Sequence, residues 1–230
     1  MNSPDKRYAI IVAGGSGSRM QSSIPKQFIE IAGLPILMHT INRFREYDES
    51  IQIVVVLPKD QHQFWKELCH QYRFSTDNFI IAEAGQTRFQ SVKNGLTAIT
   101  INTGTVAIHD GVRPLVSKKT IHNCYILAEQ HGNAIAAVPL KESIRQVEGK
   151  TNKALDRSRY ISIQTPQCFN IALIKKAFES EEKAEFTDDA SVLEAYGENI
   201  ILAEGEYCNI KITTPEDLLL ADALLRKDKN

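Results

Sequence analysis

Tyr8-Ala9-Ile10-Ile11-Val12-Ala13-Gly14-Gly15-Ser16-Gly17-Ser18-Arg19-Met20 is the stretch whose reading decides the fold. An apolar run reads as a strand, and a glycine-rich segment follows it directly. With Gly14, Gly15 and Gly17 carrying no side-chain bulk, the backbone turns sharply and aims its N–H groups at bound phosphate oxygens. Arg19, and Lys26 in Pro25-Lys26-Gln27, add two fixed cations. The set reads as a nucleoside triphosphate loop, because a triphosphate attacked at its α-phosphorus by an anionic acceptor needs such neutralisation. The bland alternative is an ordinary glycine turn between a strand and a helix. Two standard phosphate motifs fit badly: a P-loop places Gly-Lys-Ser/Thr after four spacer residues, and a dinucleotide fingerprint wants glycine where Met20 stands.

Outward from this loop, short β-rich runs alternate with segments of helical period, the pattern of a doubly wound, mostly parallel sheet in an α/β protein. Strands are expected near 7–12, 51–57, 79–82, 104–109, 133–139 and 199–203. Between them Ile36, Leu37, Ile41 and Phe44, then Phe64, Trp65, Leu68 and Tyr72, then Phe89, Val92, Leu96 and Ile99 recur at three- and four-residue spacing. These predict the core faces of three helices. In such sheets ligands sit outside the carboxyl ends of the strands, so the chemistry belongs to the loops there.

Length and composition bound the rest. The 230 residues, 43% of them hydrophobic, suit one large α/β domain over residues 1–230. A net charge of -1 implies no general attraction to nucleic acid or to an anionic membrane. Cys69, Cys124, Cys168 and Cys208 are scattered without a C-x-x-C pair, which argues against a zinc site and a disulfide scaffold. No apolar run approaches the roughly 20 residues of a membrane span, and the opening Met-Asn-Ser-Pro-Asp-Lys-Arg lacks the apolar region of a signal peptide. The expectation is a cytoplasmic protein.

The segment from Lys141 to Cys168 breaks the alternation. Its Glu-Gly-Lys turn between two alternating stretches predicts a β-hairpin arm, inserted at about 140–162. An isolated hairpin is marginal in water, so the arm is expected either to pack on a second subunit or to remain a solvated surface hairpin.

Further candidate sites lie in other loops. The run Thr105-Val106-Ala107-Ile108 ends in His109-Asp110-Gly111-Val112-Arg113-Pro114, which sets a carboxylate at a strand end, where a hard oxygen ligand suits Mg²⁺ bridging phosphates. His109 reads as a hydrogen-bonded core residue rather than a base. Arg113 is either a structural partner of Asp110 or Glu83, or a ligand contact. At Ala84-Gly85-Gln86-Thr87-Arg88-Phe89-Gln90-Ser91, Gly85 lets a base approach the backbone and Ser91 is placed to meet a base edge, unless Gln86 or Thr87 merely starts a helix. Thr187 is a natural N-cap, and the same helix start suits an acceptor phosphate. Cys208 to Thr213 alternates like a strand, with Lys211 opposite Ile210 and Ile212. Thr214-Pro215-Glu216-Asp217 reads as a helix start without a catalytic role.

Taken in order, Ala13-Gly14-Gly15-x-Gly17-x-Arg19-Met20, Pro25-Lys26-Gln27, Gly85-x-x-Arg88-x-x-Ser91-Val92, His109-Asp110-x-x-Arg113-Pro114, Asp156-Arg157, Thr165-Pro166-Gln167, Thr187-Asp188-x-Ala190-Ser191 and Asn209-Ile210-Lys211-Ile212-Thr213 resemble the bacterial cytidylyltransferases that act on 2-C-methyl-D-erythritol 4-phosphate. Each motif is weak alone; all eight in order over nearly the whole chain are specific. The resemblance implies a Rossmann-like fold of the nucleotidyltransferase type, a β-arm that forms a homodimer, and transfer of a cytidylyl group from CTP to a polyol phosphate in the non-mevalonate isoprenoid pathway. It implies Arg19 and Lys26 on the triphosphate, Arg157 and Lys211 gripping the acceptor phosphate, and Ser143, Thr187 and Arg113 assisting. It sets Ala13, Gly14, Gly15, Gly17, Ser18, Gly85, Arg88 and Ser91 around the nucleotide, and Asp110 near Mg²⁺ and both substrates. Gly111-Val112 departs from the Ala-Ala of many members, and Tyr160 stands where tryptophan is frequent. Ribitol-phosphate cytidylyltransferases share most of these motifs, which leaves ribitol phosphate as the alternative acceptor. A dinucleotide-dependent oxidoreductase would need an acidic residue where Leu57-Pro58-Lys59 stands, and a non-catalytic nucleotide-binding dimer would need neither Lys26 nor Lys211.

Overall fold

The computed structural model describes residues 6–15 and 24–227. A seven-stranded sheet is built from β1 (Arg7–Val12), β4 (Gln52–Leu57), β5 (Phe79–Glu83), β6 (Thr105–Asp110), β7 (Asn133–Pro139), β10 (Ile161–Asn170) and β11 (Leu202–Glu204), in the spatial order β11-β7-β10-β6-β1-β4-β5. Every strand is parallel to its fellows except β10, which runs against both β6 and β7. Two small hairpins complete the strands: β2 (Glu30–Ile31) with β3 (Leu34–Pro35), and β8 (Ile144–Glu148) with β9 (Thr151–Leu155).

Period two sorts the strands between two cores. Ala9 and Ile11 of β1, with Ile53, Val55 and Leu57 of β4, face one side and pack under α1 (Ile36–Tyr47), α2 (His62–Gln71) and α4 (Lys118–His131) through Phe44, Trp65 and Tyr125. Tyr8, Ile10, Val54 and Val56 face the other side, under α3 (Arg88–Ala98), α5 (Ile171–Ala177) and α6 (Asp189–Tyr196). Both faces of the sheet are thus buried, which is why its strands read as continuous apolar runs. A third, smaller core joins Ile31 and Ala32 of the first hairpin to Val112, Leu115 and Ile212 and to Ala221 and Leu225 of α7 (Pro215–Lys227). It anchors the segment before α7 to the end of β6. No helix among the described residues is long and apolar enough to cross a membrane.

The structure departs from the sequence expectations in four places. Of the stretch Lys141–Cys168, only Ile144–Leu155 forms the free hairpin, closed by Gly149 at φ +59°, while 161–170 is a ten-residue strand between β6 and β7. Gln164 to Phe169 are buried, so the arm expected at about 140–162 keeps its hairpin, and it is the residues after it that the sheet takes up as an unexpected strand. The last strand begins at Leu202, not 199. Cys208–Thr213 forms no ladder; it is pinned instead by Ile212 N–H donating to Val112 O at 2.9 Å and by Arg113 Nη1 donating to Asn209 O at 2.8 Å. The cap of α6 is Asp188, whose side chain accepts from Ser191 N–H in a capping box, rather than Thr187.

Helix α3 lies close on the sheet because Gly95 faces it. A Cβ there would sit 2.8 Å from Ile10 Cγ2 and 3.1 Å from Val56 Cγ2, both fixed in the core. Alanine is the better helix former by about 1 kcal/mol, yet Gly95→Ala is expected to destabilise the fold by about 1–3 kcal/mol through overpacking. Urea denaturation checks this, and a stabilised variant would show that α3 has room to lift.

Candidate active site

The carboxyl ends of β1, β4, β5 and β6 open onto one side, and the strand order reverses between β1 and β6. Open α/β sheets bind ligands at such a switch point. A cavity of about 370 Å³ lies there, walled by Ala13, Gly14 and Gly15 after β1, Lys26, Gly85 to Arg88, Ser91, Asp110 and Lys211. A second cavity of about 290 Å³ adjoins it, walled by Arg113, Gln164, Thr165, Gln167, Thr187 and Asp188. Arg88, Asp110 and Lys211 belong to both walls. A larger opening of about 690 Å³ sits at the opposite, amino end of β1 beside Lys6, Arg7 and Glu129. There Arg7 is already paired with Glu129 at 2.7 Å, and β1 and β4 present their amino ends.

Asp110, the last residue of β6, is 7% exposed. Its Oδ2 accepts from Arg113 Nε at 2.9 Å and lies 3.2 Å from Lys211 Nζ. Burial alone would raise this carboxyl; Lys211, Arg113 and Arg88 outweigh it and hold Asp110 well below the usual carboxylate range. Of the two carboxylates expected for Arg113, it pairs with Asp110 rather than Glu83, and it also walls the second cavity.

A directional hydrogen-bond chain fixes the backbone behind Asp110. Asp110 N–H donates to Thr165 Oγ1 at 3.1 Å, and Thr165 Oγ1 contacts His109 Nδ1 at 3.0 Å. His109 Nε2 contacts Arg113 O at 3.2 Å. A carbonyl only accepts, so Nε2 carries the proton and the Thr165 hydroxyl donates to Nδ1. Burial drives the His109 imidazole down to about 4, with Asp110 opposing only in part. Neutral and enclosed, His109 braces the loop, as its sequence position suggested.

On the first cavity's far side, Thr87 caps α3 by accepting from Gln90 N–H. Gly85 is required where the loop meets the helix, because a Cβ would come within 2.2 Å of Gln90 Cβ. Ser91 walls the cavity, but its hydroxyl donates to Thr87 O at 2.8 Å and accepts from Gly85 N–H at 3.0 Å. With its single proton spent, Ser91 shapes the loop rather than donating to a base. Lys26 enters on a short 3-10 turn (Lys26–Phe28), and its Nζ donates to Ile212 O at 3.2 Å, tying the glycine-loop side to the Lys211 segment.

The remaining expected residues divide. Thr187 walls the second cavity and is exposed. Gly17, Ser18 and Arg19 lie outside the described residues. Ser143 and Arg157 are exposed at the base of the hairpin, where Arg157 donates to Lys141 O, and they are not among the residues walling either cavity. Sequence reasoning missed Gln167, which holds the start of α6 from both sides: its Nε2 donates to Asp188 Oδ2 at 2.8 Å and its Oε1 accepts from Ala190 N–H at 3.0 Å. It also missed Asp189, fully buried and bidentate to Arg88 at 2.7 and 2.6 Å. The tandem acids Asp188-Asp189 were the available signal.

The mostly parallel sheet and paired cavities are those of an α/β nucleotidyltransferase. The family model for 2-C-methyl-D-erythritol 4-phosphate cytidylyltransferase matches residues 8–227, and the chain belongs to that family. The enzyme of that name from Bacteroides thetaiotaomicron is 49% identical over 220 residues, covering 96% of this chain and all of the relative. The one from Halalkalibacterium halodurans is 40% identical, covering 95% and 96%. Among solved structures, the 4-diphosphocytidyl-2C-methyl-D-erythritol synthase of Anaerococcus prevotii superposes with a TM-score of 0.81 at 30% identity, covering 96% of this chain and 98% of that one. The Francisella tularensis cytidylyltransferase gives 0.80 at 33%, covering 95% and 99%.

The linkage at Asp110 has a definite sign. A carboxyl held below its unfolded value of about 3.9 adds stability that is complete above that pH and is lost as the pH falls toward the folded value. Asp110→Asn is expected to cost about 3–5 kcal/mol at pH 7, mainly from the buried Arg113 left unpaired, since the more exposed Lys211 contributes less. The gap between variant and parent is expected to narrow below about pH 4. Urea titrations across pH measure it, and a gap independent of pH contradicts the ionised pairing.

Proposed function

We propose that this chain transfers a cytidylyl group from CTP to 2-C-methyl-D-erythritol 4-phosphate, giving 4-diphosphocytidyl-2-C-methyl-D-erythritol and pyrophosphate in isoprenoid precursor synthesis. The observation that carries the reading is the pair of adjoining cavities whose shared wall sets the cations Arg88 and Lys211 around Asp110. CTP occupies the first cavity, its triphosphate along Ala13–Gly15 against Lys26 and its base at the Gly85–Thr87 loop beside Ser91. The acceptor phosphate occupies the second, against Thr187, Arg113 and Lys211. An acceptor oxygen forms a new bond to the α-phosphorus as the α–β bridge breaks, and pyrophosphate leaves with the electron pair. The acceptor is already an anion near neutral pH, so no general base is required. Catalysis is positioning plus charge stabilisation by Lys26 and Lys211, with Arg19 assigned beside them on the sequence motif.

Among the described residues no group of three or more His, Cys, Asp or Glu is placed to hold a metal. Asp110 is one ionised carboxylate whose cation contacts both fall on Oδ2. That donor set fits Mg²⁺, which takes one or two carboxylates and fills its shell with substrate phosphates and water. When bound, Mg²⁺ would neutralise phosphate charge. Asp110 itself keeps Lys211 and Arg113 aimed at the boundary between the cavities.

We assign the second subunit's hairpin to the acceptor side. Val147 on β8 is 68% exposed, and Arg157 and Ser143 stand at the hairpin's base. A homodimer through this arm would bring them to a neighbouring site in the cytoplasm-borne enzyme.

The direct test is product formation from CTP with methylerythritol phosphate and with ribitol phosphate at equal subsaturating concentration. A large preference for the branched acceptor is expected, because hydrogen-bond partners left unmatched cost more than one methyl group; faster reaction with ribitol phosphate overturns the acceptor. Lys26→Ala is expected to lower turnover about 10²–10³-fold, measured as pyrophosphate release with Mg²⁺, and near-normal turnover would refute the loop assignment. Mixing inactive Arg157→Ala subunits with inactive Lys26→Ala subunits is expected to restore activity, since some mixed-dimer sites carry neither lesion. No recovery after verified exchange would return Arg157 to its own subunit's site.

A further inference from the structure

Arg88 opens α3, where a cation sits at the unfavourable, positive end of the helix dipole, and α3 has no acidic residue in its first turn. A position that breaks a local rule is where function is to be sought. The compensating charge comes from another helix: Asp189, the first residue of α6, takes both terminal nitrogens of the guanidinium. Asp189 is 0% exposed and is not among the residues walling either cavity, whereas the Arg88 side chain is 31% exposed and walls both.

The start of α6 does not need this pair to stay in place. Asp188 closes a capping box with Ser191, and Gln167 of β10 grips Asp188 and Ala190. Among the described contacts the Arg88 head group hydrogen-bonds to Asp189 alone, and Asp110 and Asp188 attract it without a direct hydrogen bond. Releasing Asp189 would therefore leave α6 seated and free the guanidinium to swing toward solvent.

We propose that Asp189 is a positioning residue: it fixes the Arg88 guanidinium at the junction of the two cavities, where one cation serves both phosphate-bearing substrates, and so makes nucleotide and acceptor binding interdependent. This rests on the reading of the two cavities given above. The ion pair joins the nucleotide loop at Gly85–Thr87 to the acceptor loop at Thr187–Asp188 by their adjoining helix starts. A substrate that settles either loop thereby settles the other.

The test is calorimetric titration with α,β-methylene-CTP, alone and with saturating 2-C-methyl-D-erythritol 4-phosphate. In the parent protein the acceptor is expected to tighten analogue binding about 5-fold or more, the scale of an ordinary coupling. Asp189→Asn keeps the shape and removes the charge; it is expected to bind the analogue alone within about 2-fold of the parent while the coupling falls to about 1, and kcat to fall about 10²-fold from misplacement. Arg88→Lys should lose the coupling too, because an ammonium cannot make the bidentate contact, and the double variant should be no worse than either single. Parent-like coupling in Asp189→Asn, even with a lower melting temperature, would reduce the pair to a structural tie and overturn the proposal. Parent protein that binds both ligands without coupling also overturns it while leaving the functional reading intact. Parent protein that binds neither ligand overturns both.

Discussion

Two cations on one buried carboxylate oxygen are the constraint from which the active side of this molecule is organised. Asp110 Oδ2 meets Arg113 from its own loop and Lys211 from the segment before α7, 101 residues further on. A charge this enclosed is tolerated only when paired and hydrogen-bonded, so the pairing obliges the Asn209–Thr213 segment to lie across the end of β6. Arg113 reinforces this by donating to Asn209 O, and Ile212 by donating its N–H to Val112 O and burying its side chain in the third core. One carboxylate thereby holds both cavity walls together.

Much of the fold was legible in the sequence because the sheet is parallel and covered on both faces. Continuous apolar runs such as Ile10-Ile11-Val12 and Val54-Val55-Val56 have few other readings, and the helices between them keep a regular apolar period. The strand at 161–170 was not legible. Ser162, Gln164, Thr165 and Gln167 give it polar positions, which read as arm or loop, yet they are the residues that reach the site: Thr165 contacts His109, and Gln167 grips α6. A polar strand in the middle of a sheet makes sense only once its partners are known. Lys211 failed in the opposite way, for its alternation was real but the segment makes side-chain and single backbone contacts instead of a ladder.

The candidate site shows the same division. Lys26 and Asp110 were legible because they follow a glycine loop and end a buried strand on the carboxyl side of the sheet. Arg113, Thr187 and Lys211 were placed at the site mainly by their resemblance to family motifs, and it is the fold that brings all five to the walls of the two cavities. Asp189 and the Thr165–His109 chain depend on distances across the fold that no spacing encodes. The Asp188-Asp189 doublet shows why: one acid caps its own helix, a role the sequence reading gave to Thr187, while its neighbour reaches 101 residues back to Arg88.

The central claim is that a wall of Arg88, Asp110 and Lys211 divides a nucleotide from an acceptor phosphate. A crystal structure with CTP and 2-C-methyl-D-erythritol 4-phosphate bound tests it most directly. The account predicts the α-phosphate on the Lys26 side of Asp110 and the acceptor phosphate on the Thr187 side, with Lys211 within reach of both. Both phosphates on one side of Asp110, or an acceptor lodged at the amino ends of the strands beside Arg7, would contradict it.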